Sequence, residues 1–329
     1  MKQTHHLFLA IAMLFLFACQ DNSKNETSTS ATISTVDTLQ AELLYEIKAD
    51  LGEGALWNVE DQQFYWVDIE KMELHIYNPS TQKDTSFSMP SRPGTVVNYK
   101  EDEVVLALQD GAYIFNTATG ELQPFALIQE VGTRFNDGKC DPSGRFWVGT
   151  MEWNGASPIG NLYMINEDGT YEIAVDSITI SNGIVWNKAK NKMYYIDTPT
   201  QEIASFDYDN ETGRVSNRKA IVQIDQSMGS PDGMAIDEND NLWVGLWNGD
   251  AVVCYDPETG ELIKRVEVPA HNVTACAFGG PNLDILYITT SSLDMTKEEK
   301  EAYPLAGSLF TVDPGVKGTV SPHFGGKND

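Results

Sequence analysis

The sequence predicts an all-β fold, a six-bladed β-propeller, on the strength of three observations. Past residue 41, short runs rich in Val, Ile, Tyr, Trp and Phe alternate with Gly, Asn, Asp and Pro, and no long stretch shows helical periodicity. The runs fall into a recurring unit whose second strand is aromatic and β-branched: Phe64-Tyr65-Trp66-Val67-Asp68, Phe146-Trp147-Val148-Gly149, Met193-Tyr194-Tyr195-Ile196-Asp197, Leu242-Trp243-Val244-Gly245 and Leu286-Tyr287-Ile288-Thr289. The units start near Glu53, Thr95, Asn136, Asn182, Asp232 and Thr274, in steps of 42, 41, 46, 50 and 42 residues. Six units of nearly constant length suit blades that each cover a neighbour's apolar face and close into a ring. A β-sandwich would show short strands but not this long, regular period.

In chain order, the first element is a segment of the secretory-signal type. Met1-Lys2-Gln3 precedes an apolar run from Leu7 to Ala18, about a dozen residues, against the roughly 20 that span a membrane. Leu16-Phe17-Ala18-Cys19 resembles a bacterial lipobox, in which the cysteine thiol is lipidated, although Phe17 is bulky for that motif. Residues 1–18 are therefore expected to be a lipoprotein-type signal peptide, with Cys19 the lipidation site. Ordinary secretion and an uncleaved anchor are the alternatives. Residues 19–40, rich in Ser, Thr, Asn and Asp, bury too little apolar surface to order themselves and read as a flexible tether. The propeller is expected over residues 41–325. Asp141-Pro142-Ser143-Gly144 and Asp256-Pro257-Glu258-Thr259-Gly260 supply hairpin turns, because Pro presets φ and Gly accepts positive φ.

Composition narrows the function classes. With 41% hydrophobic and 21% charged residues over 329 positions, the chain is a folded globular protein. Its 48 acidic against 22 basic residues give a formal charge of −26, which repels phosphate backbones and disfavours nucleic acid as a partner. Beyond Cys19, the cysteines Cys140, Cys254 and Cys276 are odd in number and form no C-x-x-C pair, so buried free thiols are expected. The nucleophile elbow, the H-E-x-x-H motif, the P-loop and the dinucleotide fingerprint are absent. Asp237 to Asn241 imitates the start of an EF-hand, but Leu242 stands where that loop needs glycine and Asn248 where it needs glutamate, so a hairpin turn is expected.

Polar residues beside glycine open four of the units: Gly52-Glu53-Gly54, Asn136-Asp137-Gly138, Ser181-Asn182-Gly183 and Pro231-Asp232-Gly233. The innermost strands of a propeller line its channel, so equivalent positions of different blades converge there. Glu53, Asn136, Asn182 and Asp232 would then offer oxygen ligands to one ion. All-oxygen ligation favours a hard divalent cation, Ca²⁺ foremost, with Mg²⁺, Mn²⁺ or Zn²⁺ as alternatives. The competing reading is that these dipeptides merely cap turns.

With these residues in place, the sequence resembles the regucalcin-like sugar lactonases, also called the senescence marker protein, gluconolactonase and luciferin-regenerating enzyme family. The resemblance runs from about Leu51 to about Gly318 and is most specific over Arg134-Phe135-Asn136-Asp137-Gly138 through Gly149-Thr150-Met151. It implies a six-bladed propeller with one catalytic divalent ion on Glu53, Asn136, Asn182 and Asp232. It further implies substrate contacts from Arg134 and Asn136, whose i, i+2 spacing puts them on one strand face. An acidic contact after G-T-M falls nearest Glu152, where Trp153-Asn154-Gly155-Ala156 departs from the family pattern.

The activity so implied is hydrolysis of a sugar lactone to the aldonic acid. Asp232 is the expected general base, with hydroxide on the ion as the alternative, and Arg134 orients the substrate. His271 is a further candidate at the rim. Two other readings remain at this level: a lipid-anchored binding propeller with a structural ion, or a hydrolase of non-sugar lactones or phosphotriesters. The expected partners are a small sugar lactone and, through the lipid alone, a membrane. The protein is expected to be a monomeric, exported, periplasmic or cell-surface lipoprotein of a bacterium.

Overall fold

A computed structural model describes residues 36–326. The signal segment, Cys19 and the tether up to residue 35 lie outside the described residues. Six sheets, antiparallel apart from one added edge strand, follow one another along the chain. The inner strands of blades 1 to 6 are Gly52–Asn58, Thr95–Asn98, Thr133–Cys140, Ser181–Trp186, Ser230–Ile236 and Asn272–Gly279. Each packs against the next and the sixth packs against the first, so the sheets close into the predicted propeller. All six unit starts read from the sequence fall on these inner strands.

Burial falls from the axis outward. The inner strands are almost wholly buried, whereas outer strands such as Lys83–Ser88 and Val215–Gln223 carry mostly exposed or half-buried residues. The apolar core is six cores, one between each pair of neighbouring blades. The aromatic second strands fill them: Trp66, Trp147 and Trp243 are essentially inaccessible. Between blades 6 and 1, Tyr287 stacks on Trp57 and Phe64 at 5.0 Å each, sealing the ring with aromatic area.

The N-terminal boundary differs from expectation. Glu42–Tyr45 pairs antiparallel with Leu309–Val312 as the outermost strand of blade 6, so that blade takes three strands from the C-terminal end and one from the N-terminal side. Asp37–Gln40, assigned to the tether from its polarity, forms a parallel fifth strand on Leu262–Glu267 of blade 5. Its backbone groups complete an existing ladder, and edge pairing of that kind asks little of side-chain hydrophobicity.

The expected hairpins are present. Gly144 and Gly260 take φ of +83° and +73° in turns capped by Asp141 and Asp256. The EF-hand look-alike is a hairpin as read: Asp237 Oδ1 accepts from the Asn239 and Asn241 amides, and Oδ2 accepts from Trp243 Nε1 at 3.1 Å. Cys140, Cys254 and Cys276 are buried free thiols.

Candidate functional site

Five of the six inner strands break register at the positions singled out from sequence. The ladder skips between Glu53 and Leu56, Phe135 and Gly138, Asn182 and Ile184, Pro231 and Met234, and Val273 and Cys276. A bulge re-aims a side chain out of the pleat alternation, here toward the axis. The glycine dipeptides are therefore not turn caps; they lie inside strands, at bulges. Gly54 has φ of +63°, and a Cβ on Gly183 would lie 2.7 Å from Met234 Cβ. The glycines thus permit both the bulge and the close approach of neighbouring strands.

Glu53, Asn136, Asn182 and Asp232 are all buried, brought from blades 1, 3, 4 and 5. Blades 2 and 6 contribute threonines that stitch the ring instead: Thr95 Oγ1 donates to Gly138 O at 3.1 Å and Thr274 Oγ1 to Gly52 O at 2.5 Å.

A directed hydrogen-bond relay crosses three blades. Arg134 Nη1 donates to Asn136 Oδ1 at 2.7 Å, and Asn136 Nδ2 donates to Ser181 O at 2.7 Å and Asn182 Oδ1 at 2.9 Å. Asn182 Nδ2 donates to Thr198 Oγ1 at 2.7 Å, which in turn donates to Pro231 O at 2.8 Å, beside Asp232. Both protons of the Asn136 amide are spent inside the protein, so toward any ligand it presents only Oδ1 lone-pair capacity. That suits a cation ligand better than a donor to a sugar hydroxyl.

Charge at the site is unbalanced toward the negative. Burial, then the nearby Asp137 carboxylate, pushes Glu53 up to about 8, while Arg134 and Lys139 pull the other way. Asp232 is raised well above the ordinary carboxylate range by burial, then by Glu53 and Asp137. Asp137 is raised by burial; its Oδ1 accepts from the Gly138 amide at 2.8 Å and its buried Oδ2 has no partner. The buried carboxyl groups of Glu53 and Asp232, beside the buried amide oxygens of Asn136 and Asn182, make a place for a cation. Among the described residues no three His, Cys, Asp or Glu side chains close to metal-ligand spacing. A cation here would accordingly draw on the amide oxygens of Asn136 and Asn182 together with the carboxylates, an all-oxygen set that fits a hard divalent ion.

Arg134 is lowered to about 10 by burial, against support from Glu70, Glu53 and Asp232, and remains a cation at neutral pH. At the rim, Arg92 pairs with Glu70 through Nε at 3.0 Å and Nη2 at 2.7 Å and lies 5.4 Å from the centre of the half-exposed Trp153 ring. Glu152 sits at the end of the strand paired with that of Arg134. Its Oε2 accepts from the Ala156 and Ser157 amides at 3.1 and 2.8 Å, pinning its own loop. His271 is tied to Asp250 at 2.6 Å and stacks on Tyr303.

From the sequence, Asp137 has no assigned role; it is buried where its strand bulges between Phe135 and Gly138. Thr198, Glu70 and Arg92 carried no signal, since each acts through a contact between segments distant in sequence.

A family-wide profile, the SMP-30/Gluconolactonase/LRE-like region, matches residues 51–292. The Bacillus subtilis (strain 168) protein YvrE, provisionally named a sugar lactone lactonase, is 41% identical over 290 residues, 88% of this chain and 99% of its own length. The pentonolactonase XacC of Haloferax volcanii is 35% identical over 83% of this chain and 94% of its own. The crystal structure of a calcium-binding protein, regucalcin, from Agrobacterium tumefaciens superposes with a TM-score of 0.85 at 27% identity, covering 89% of this chain and 99% of that one.

Proposed function

The chain belongs to the SMP-30/gluconolactonase/LRE-like family and is a lactone-hydrolysing enzyme; we propose that its substrate is a sugar lactone, opened to the aldonic acid by water attack on the ester carbonyl. The observation that carries the reading is the convergence of Glu53, Arg134, Asn136, Asn182 and Asp232 from four blades on one end of the channel. The calcium-binding description of the Agrobacterium regucalcin supports a divalent ion at such a site.

A divalent ion held by Glu53, Asn136, Asn182 and Asp232, with Ca²⁺ the first choice, would polarise the lactone carbonyl and stabilise the charge that develops on it. Asp232, a buried carboxylate beside the ion's other ligands, takes the proton of the attacking water. It returns that proton to the ring oxygen as the ester C–O bond breaks. Arg134 has one nitrogen engaged by Phe135 O and Asn136 Oδ1, which leaves the rest of its fork for ring hydroxyls. Burial of the whole set excludes bulk water from these contacts.

Proton release across a panel of aldonolactones, with chelator and then single metals added back, tests the reading. Metal-restored turnover supports it, whereas a silent panel with a metal-raised melting temperature moves the protein to a binding role. Export as a Cys19 lipoprotein belongs to the same proposal and favours substrates outside the cytoplasm. Fatty-acid labelling that survives Cys19→Ser would remove it.

A further inference from the structure

A cavity lies at the end of the channel away from Glu53 and Asp232. It has a volume of about 330 Å³ and lies among the later residues of the inner strands, including Lys139, Trp186 and Phe278. Because the inner strands all run the same way through the ring, this is the opposite mouth. A strap formed by residues 318–326 closes it from below. Gly318 is held by Leu283 O at 2.8 Å and bridges to Asp237, and the Phe324 amide donates to Asn98 O at 2.8 Å. The strap therefore runs from blades 5 and 6 across to blade 2, and its Val320 and Pro322 line the cavity.

We propose that this far mouth is a second ligand site, for a small carboxylate with an apolar body, of the size of a medium-chain or aryl acid. The lining is mixed: Asn187, Thr319 and Ser321 are polar, while Val185, Trp186, Ile236 and Phe278 form an apolar wall that suits a hydrocarbon or aryl body. The cations at the mouth are Lys139, half-buried, and Lys188 and Lys190, exposed. The lysines with a carboxylate in ion-pair range among the described residues are Lys48, Lys71, Lys192, Lys264 and Lys297, so none of these three forms a direct ion pair, although Asp137 and Glu53 act on Lys139 from further off and the Lys188 amide donates to Asp240 Oδ1 at 2.7 Å. In a chain with a formal charge of −26, three ammonium groups without a direct ion pair around one cavity form a local inversion of sign. A carboxylate answers the lysines, and its apolar body answers the apolar wall. A sugar acid meets only the first requirement, so the site is not a second copy of the lactone site.

The test is titration of the full-length protein with octanoate, followed by calorimetry and by tryptophan fluorescence, with octanamide and gluconate as controls. Saturable octanoate binding is expected, with hexanoate weaker by about fourfold per methylene lost and both controls silent. Lys188→Gln with Lys190→Gln, both at exposed positions, is expected to weaken binding about threefold. Adding Lys139→Gln is expected to weaken it about tenfold or more. The proposal is overturned by no saturation up to about 10 mM, by equal binding of octanamide, or by unchanged affinity in the double variant. The double variant retains the half-buried lysine, so the test stands even if the triple variant does not fold. None of these outcomes depends on lactone turnover.

Discussion

Asn136 on blade 3 reaches across to blade 4 and donates from Nδ2 to Asn182 Oδ1 at 2.9 Å. That bond decides which way both amides face, and the next bond, from Asn182 Nδ2 to Thr198 Oγ1, fixes the far end. Thr198 is therefore a positioning residue: it touches no ligand directly but keeps the Asn182 oxygen turned to the site. Thr198→Val removes the acceptor while keeping the shape. Divalent-ion affinity, read as the metal concentration needed for half the rise in melting temperature, is expected to fall about tenfold. Thr198→Ser should restore it, an outcome that a purely steric role for the methyl group would not give.

The crowding of carboxyl groups predicts a pH dependence of stability. Glu53 has an ordinary value of 4.5 and is raised to about 8 in the folded protein. The native state thus holds that proton more tightly than the unfolded chain does. The corresponding stabilisation is complete below pH 4.5 and is lost as pH climbs through 8. In chelator, the melting temperature should fall across this window, and Glu53→Gln should flatten the slope. A divalent cation competes with the proton for the same oxygens, so the difference between metal-loaded and chelated samples should widen with rising pH. Thermal melts at four or five pH values, with and without Ca²⁺, measure both effects.

Asp232→Asn keeps an oxygen ligand but removes the base. Turnover is expected to fall by about a hundredfold or more, while a metal-dependent rise in melting temperature persists in reduced form. Activity close to that of the unmodified enzyme would transfer the base role elsewhere.

The architecture was legible because it repeats. Six starts at near-equal spacing identified six inner strands, and glycine beside an acid or amide marked four that converge. Less visible was what depends on breaking the repeat. Asp137, whose buried carboxyl group raises Glu53 and Asp232, sits where its strand bulges between Phe135 and Gly138. Another buried acid hid in a turn motif: Asp141 reads as a hairpin residue, yet its carboxylate accepts from Trp147 Nε1 at 2.9 Å, Tyr208 Oη at 2.8 Å and Arg145 Nε at 2.6 Å. Asp237 and Trp243 repeat the same six-residue spacing in blade 5, so the motif was present twice but its partner could not be known before the blades were stacked. The strand Asp37–Gln40 was missed because composition measures what a segment can bury, not which edge its backbone can complete.

Ring closure gives the last prediction. Blade 6 receives Glu42–Tyr45 from the N-terminal side, and Leu44 and Tyr45 pack into the core it shares with blade 1, with Tyr45 5.2 Å from Tyr77. A chain that begins at Val36 retains this strand and the Asp37–Gln40 pairing; one that begins at Glu46 loses both. The shorter chain leaves Leu309–Val312 as an open edge and removes apolar cover from the seam, a loss that should lower the melting temperature by about 5–10 °C. It should also aggregate more readily, since an unpaired edge is a template for another chain. Melting and light scattering of the two truncations, side by side, measure this. Equal melting temperatures would mean that the aromatic seam of Trp57, Phe64 and Tyr287 closes the ring without the strand.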